Sequence, residues 1–103
     1  MNIREILGIR KRFVIGMVHC LPLPGTAHYH GDLNRLFAQA VQDAKTLEAA
    51  GVDAVIVENM GDDPFAVKLD TAQVAALAIA TSKVRDALTI PVGIDAAFCD
   101  YEA

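Results

Sequence analysis

Three short apolar runs, separated by segments of helical length, restrict this chain to few folds. Phe13-Val-Ile-Gly-Met-Val-His19, Val52-Asp-Ala-Val-Ile-Val57 and Ile90-Pro-Val-Gly-Ile94 are rich in valine and isoleucine and carry almost no polar interruption. A strand with one solvated face alternates apolar and polar residues, whereas a nearly continuous run is the composition of a strand buried on both faces. Pro91 lacks a donor for the ladder and is tolerated because it stands among the first residues of its run. Between the first two runs, Asp32 is a good N-cap. Leu33, Phe37, Ala40, Val41, Ala44 and Leu47 then recur at helical spacing until Gly51 ends the pattern. Between the second and third runs, Asp70 followed three places later by Gln73 has the form of a capping box, and it opens a stripe of Val74, Leu77, Ala78, Thr81, Val84 and Leu88.

The order is therefore β-α-β-α-β. Helices long enough to serve as crossovers call for parallel strands and right-handed connections. Run centres near Gly16, Val55 and Val92 recur about every forty residues, against roughly thirty per unit in a 250-residue (β/α) barrel. The excess lies in two loops. The helix-to-strand connections at Gly51 and Thr89 are minimal, whereas Leu21 to Gly31 and Gly61 to Leu69 exceed the usual two to six residues. Function is therefore expected at the C-terminal ends of the strands, where both barrels and open doubly wound sheets place their ligands. The chain of 103 residues, 53% of them hydrophobic, is read as one domain over 1–103. Three strands and two helices neither close a barrel nor cover both sheet faces. Phe98-Cys-Asp-Tyr-Glu-Ala103, where a third helix is due, reads as a unit cut short, and an unpaired edge with an uncovered face predicts self-association.

Charge and composition exclude several classes of function. The net charge of −4 divides into +3 over the first twelve residues and −7 over the rest, a poor surface for nucleic acid. Arg10, Lys11 and Arg12 read as a solvated approach to the first strand, with an anionic-lipid or phosphate patch as the alternative. The start MNIREILGIRKR lacks a small-residue cleavage site and has charges inside its one apolar patch, so a secretory signal is not expected and the expected location is the cytoplasm. Phe13 to Gly31 is uncharged for nineteen positions but contains Pro22 and Pro24, which rules out a membrane-spanning helix there. Cys20 and Cys99 are expected as free thiols: strands two apart in a parallel sheet lie about 9.6 Å from each other, beyond disulfide reach.

Polar residues collect at the strand ends. His19 closes the first run ahead of the stiff turn Cys20-Leu-Pro-Leu-Pro-Gly25. It is the candidate acid/base, the alternative being an imidazole hydrogen-bonded to loop backbone. Glu58 and Asn59 end the second run and Asp95 the third. Adjacent strands about 4.8 Å apart would let these groups share one substrate or a divalent ion, and the sequence leaves metal and cofactor unspecified. Because side chains alternate, only one of Glu58 and Asn59 faces the mouth, with Glu58 favoured. His28-Tyr-His30 has metal-ligand spacing but lies well beyond the strand and reads as solvated loop; Asp62-Asp63-Pro64 reads as a turn from which Asp62 reaches toward a ligand. No G-x-G-x-x-G, Walker A lysine or G-x-S-x-G elbow is present in the sequence.

Ile15-Gly-Met-Val-His-Cys-Leu-Pro-Leu-Pro-Gly25, Gly51-Val-Asp-Ala-Val-Ile-Val-Glu-Asn59 with Gly61-Asp62 and Pro64-Phe65, and Ile90-Pro-Val-Gly93 together resemble the N-terminal part of the BtpA/SgcQ family. The resemblance implies a TIM-type (β/α)8 barrel of the ribulose-phosphate-binding type with about five further units. It departs from the family's third strand, where relatives tend to read G-[VI]-N and then an L-R-N-D-like segment. This chain has Gly93-Ile-Asp95 and Ala97-Phe-Cys-Asp100, so the family's arginine is missing while Asp100 matches its aspartate. His19, Glu58 and Asp95 are thus the candidate catalytic residues, and Asn59, Asp62 and Asp100 the candidate substrate-binding ones. The convergence of these polar residues at three strand ends, in the barrel that the resemblance implies, leads to the expectation that the complete protein is an enzyme or binder acting on a small phosphorylated compound. The alternative the resemblance implies is a non-catalytic photosystem I biogenesis factor peripheral to a membrane. The 103-residue chain by itself is expected to be inactive.

Overall fold

A computed structural model describes residues 2, 5, 12–62, 68–97 and 102–103. Asp100 lies outside the described residues, as do Arg10, Lys11, Asp63, Pro64 and Cys99. Three strands, β1 (Ile15–His19), β2 (Ala54–Glu58) and β3 (Val92–Asp95), form one sheet in the order β1-β2-β3, with parallel pairing throughout. Two helices alternate with them, α1 (Leu33–Ala49) and α2 (Thr71–Ala87). The protein is a small α/β structure, as the alternation of runs requires.

Local signals set the helix limits. The Asp32 carboxylate accepts from Arg35 N at 3.1 Å to start α1, and Gly51 follows its end with φ +97°, a left-handed conformation suited to glycine. Asp70 and Gln73 form the full capping box of α2, with Gln73 N donating to Asp70 Oδ1 at 2.8 Å and Asp70 N to Gln73 Oε1 at 3.0 Å. The buried stripes keep Phe37, Ala40, Ala44, Leu77 and Val84 of the sequence expectation and depart from it at single positions. In α1 the core line is Leu36, Phe37, Ala40 and Ala44, while Leu33 is exposed. In α2, Ala76, Leu77, Ala80 and Val84 are buried and Ala78 faces outward. Alanine occurs on every side of α2, so apolar periodicity does not select a face; contact with α1 and the sheet does. Thr81, half-buried, returns its hydroxyl to the Leu77 carbonyl at 2.8 Å.

Both helices cover the same sheet face, as right-handed crossovers between neighbouring strands demand. A methyl group on Gly16 would sit 3.0 Å from Leu47 of α1, which places the Gly16–Val18 side of β1 against the helices. Val18, Val55 and Val57 are fully buried there with Leu36, Leu77 and Val84. The opposite face carries Met17, His19, Ile56, Glu58, Gly93 and Asp95 by alternation, and Met17 is 40% exposed. At the C-terminal end of that face lie the side chains with chemistry.

Candidate functional site

The parallel register aligns His19 with Glu58 and Glu58 with Asp95, so the last residues of three neighbouring strands form one row. Paired residues in adjacent strands point to the same side of the sheet, and this row points to the side opposite α1 and α2. His19 Nε2 lies 3.5 Å from Glu58 Oε2. The imidazole is half exposed, whereas Glu58 retains 7% of its surface. Burial is the first cause that holds the Glu58 carboxyl above its ordinary range; hydrogen bonding to Asp95 and repulsion by its carboxylate add to this, and His19 partly offsets it. A carboxyl that keeps its proton more readily, beside an imidazole and a second carboxylate, is an arrangement able to donate and accept protons.

Asn59 and Asp62 occupy a different layer. Asn59 is fully buried and Asp62 is 3% exposed. Asn59 Oδ1 accepts from Ala97 N at 2.6 Å, and its Nδ2 donates to Asp62 Oδ2 at 2.9 Å and to the Ala97 carbonyl at 3.3 Å. Asp62 Oδ1 accepts from Leu23 N at 2.8 Å. The structure thus brings His19, Glu58 and Asp95 together at the strand ends and places Asn59 and Asp62 beneath them, bonded to the loops that follow β1 and β3. Of Glu58 and Asn59, alternation sends the first to the open face and the second inward.

These geometries are set within a sequence whose relatives can be recognised. A family model, described as the BtpA family, matches residues 10–101. The chain belongs to the BtpA family. It is 44% identical over 89 residues to an uncharacterized protein of Thermococcus kodakarensis, covering 86% of this chain and 34% of that protein. It is 42% identical over 83 residues to the photosystem I biogenesis protein BtpA of Synechocystis, covering 80% and 29%. To the putative sgc region protein SgcQ of Escherichia coli it is 30% identical over 95 residues, covering 90% and 35%. The chain spans about a third of the length of these curated relatives. No solved structure matches it.

Other polar candidates of this BtpA-family chain stand apart from the row. Cys20 is a free thiol, buried beside His19 in sequence, and burial first and the nearby carboxylates of Asp62 and Asp43 second push it up to about 12. It stays protonated at neutral pH and is no nucleophile. His28 and His30 are exposed on either side of half-buried Tyr29. Among the described residues no group of three or more His, Cys, Asp or Glu side chains is placed to hold a metal ion, and no helix is long and apolar enough to cross a membrane.

Sequence reasoning missed the part played by Gly61. A methyl group there would lie 2.5 Å from the Cys20 carbonyl oxygen and 2.8 Å from Pro22 N, so only glycine lets the loop after β2 press against the loop after β1. The adjacent Gly61-Asp62 pair was visible as part of the family motif. Its reason, a backbone approach between segments about forty residues apart in sequence, has no one-dimensional signature.

Proposed function

We propose that His19, Glu58 and Asp95 form the acid–base part of a barrel-mouth site in the complete protein, with this chain supplying the first three strands of a TIM-type (β/α) barrel. The observation that carries the reading is the row itself: three titratable groups at the C-terminal ends of adjacent parallel strands, on the sheet face opposite α1 and α2. Further strand–helix units would turn that face into a barrel interior, and the greater length of the relatives supports such units. In their absence the exposed Met17 and neighbouring Ile56 favour self-association of the chain.

The chemistry of the row also bears on the ligand. Two carboxylates repel phosphate, and Lys68, the one lysine or arginine among the described residues of the strand-to-helix loops, is paired with Glu102. The row therefore suits the hydroxyl- or carbonyl-bearing part of a small phosphorylated compound, with His19 exchanging the proton and the phosphate held by loops elsewhere in the barrel. Screening the full-length protein for turnover of sugar phosphates, then repeating the assay with His19→Ala and Glu58→Gln, tests this. Loss of about 100-fold or more in kcat is expected for each; turnover equal to the parent in His19→Ala overturns the acid–base role.

A second reading draws on the 42% identity to a photosystem I biogenesis protein: an assembly factor working at a membrane surface without catalysis. Flotation with anionic vesicles at low salt tests it. Cofractionation with lipid supports this reading, and complete absence from the lipid fraction argues against direct membrane binding.

A further inference from the structure

The ladders end at His19, Glu58 and Asp95, so strand pairing by itself does not fix how the three chain segments leave the sheet. Two side chains do. Asn59, one residue beyond Glu58, holds Ala97, two residues beyond Asp95, through both its N–H and its carbonyl. Asp62 holds Leu23, four residues beyond His19, through Oδ1, and holds Asn59 through Oδ2. The Asp62 N–H returns to the Asn59 carbonyl at 3.2 Å, and Cys20 N donates to the Glu58 carbonyl at 2.9 Å. Every segment leaving the row is thereby tied to one amide and one carboxylate. Both are more deeply buried than any member of the row, and no buried polar side-chain atom among the described residues lacks a partner.

We propose that Asn59 and Asp62 are positioning residues: a buried amide–carboxylate pair that fastens the loops after β1 and β3 to the end of β2 and so sets the mutual geometry of His19, Glu58 and Asp95. The inference rests on the reading of that row as the site. It assigns to these two residues a role other than ligand contact, since their polar atoms are already engaged and covered. Asparagine and aspartate suit the task because one side chain offers donor and acceptor together, matching both groups of Ala97, and the other offers two acceptor oxygens to two different donors.

The test uses the labelled full chain, with the Glu58 carboxyl carbon followed by NMR across pH, and compares Asp62→Asn and Asn59→Ala with Glu48→Gln. Glu48 fastens a connection at the opposite end of the sheet, so its variant reports loss of a fastening without a change at the mouth. Asp62→Asn has a single acceptor oxygen left for two donors. The Glu58 midpoint is expected to fall by about 0.5 pH unit or more in both mouth variants and to stay in place in Glu48→Gln. An unmoved midpoint in folded Asp62→Asn overturns the positioning role while leaving the site reading intact. A parent in which Glu58 titrates like a free carboxyl overturns the site reading and the positioning role with it. Amide exchange in the parent gives a readout independent of whether the variants fold: Leu23 and Ala97 N–H are expected to exchange as slowly as the strand amides, and rapid exchange at both overturns the proposal.

Discussion

The two ends of the sheet are fastened by the same chemistry and used differently. At the N-terminal end, Asp53 accepts from Val14 N at 2.8 Å and its own N–H donates to the Val14 carbonyl at 2.9 Å, which secures the entry to β1. There too, Glu48 gathers Thr89 N at 2.8 Å, the Thr89 hydroxyl at 3.2 Å and Ile90 N at 3.3 Å, which secures the entry to β3. At the C-terminal end, Asn59 and Asp62 do the corresponding work under longer loops. The difference is that this end carries a second polar layer, His19, Glu58 and Asp95, whose side chains face one another across the strand ends. A polar residue at a strand end is thus no evidence of a site by itself. What marks the row is that its side chains face each other, whereas the others are bonded to backbone.

The largest expected effect in this comparison separates two glycines. Gly61→Ala forces a methyl into the backbone of the loop after β1 and should destabilise by about 3 kcal/mol, measured by urea unfolding. Gly51→Ala, at the other end, meets no atom within 4 Å but must adopt φ +97°, and should cost about 1 kcal/mol. Gly51→Asn should recover part of that, because asparagine tolerates left-handed backbone, whereas Gly61→Asn should be worse than Gly61→Ala. Equal costs at the two positions would break the distinction between a glycine required for contact and one required for conformation.

Smaller effects come from charge, with opposite signs at the two ends. Glu48 is held below its ordinary value of 4.5, chiefly by the Thr89 N–H, so its folded-state advantage is present above that value and is lost as pH falls through the folded one. Glu58 is held above 4.5, so its contribution is favourable at low pH and is lost as pH rises through the folded value. Glu48→Gln should therefore lower stability at about pH 7.5, while Glu58→Gln should raise it, because glutamine stands for the protonated acid. Both differences should shrink toward about pH 3.5, that of Glu58→Gln first, because Glu48 keeps its charge to lower pH. Denaturation of the three proteins at both pH values checks this. A loss of stability in Glu58→Gln at neutral pH would mean that the ionised group is better satisfied at the mouth than its neighbours indicate.

How far these features were legible in the sequence follows the range of the interactions behind them. The order of strands and helices, the caps at Asp32 and at Asp70 with Gln73, and the stop at Gly51 depend on residues within four positions of one another, and periodicity displays them. The faces of α2 were not legible, since Ala76, Ala78 and Ala80 are alike in sequence and only packing buries the first and third. At the candidate site, reading His19, Glu58 and Asp95 as strand ends was sufficient to place them side by side. The bonds of Asn59 to Ala97 and of Asp62 to Leu23 span 38 and 39 residues, and an amide that serves a loop is written no differently from one that serves a ligand.

The row of His19, Glu58 and Asp95 also fixes how long β2 must be. Consecutive strand residues face opposite sides, so removing one residue ahead of Glu58 would move it into the place of Val57, turning the carboxyl into the helix layer, and would bring the amide of Asn59 out to the opposite face. The row would lose its central carboxyl in one step, with composition and hydrophobicity almost unchanged. Loops after the strands can vary in length among proteins built this way, but β2 (Ala54–Glu58) must keep its length for Glu58 to stand between His19 and Asp95.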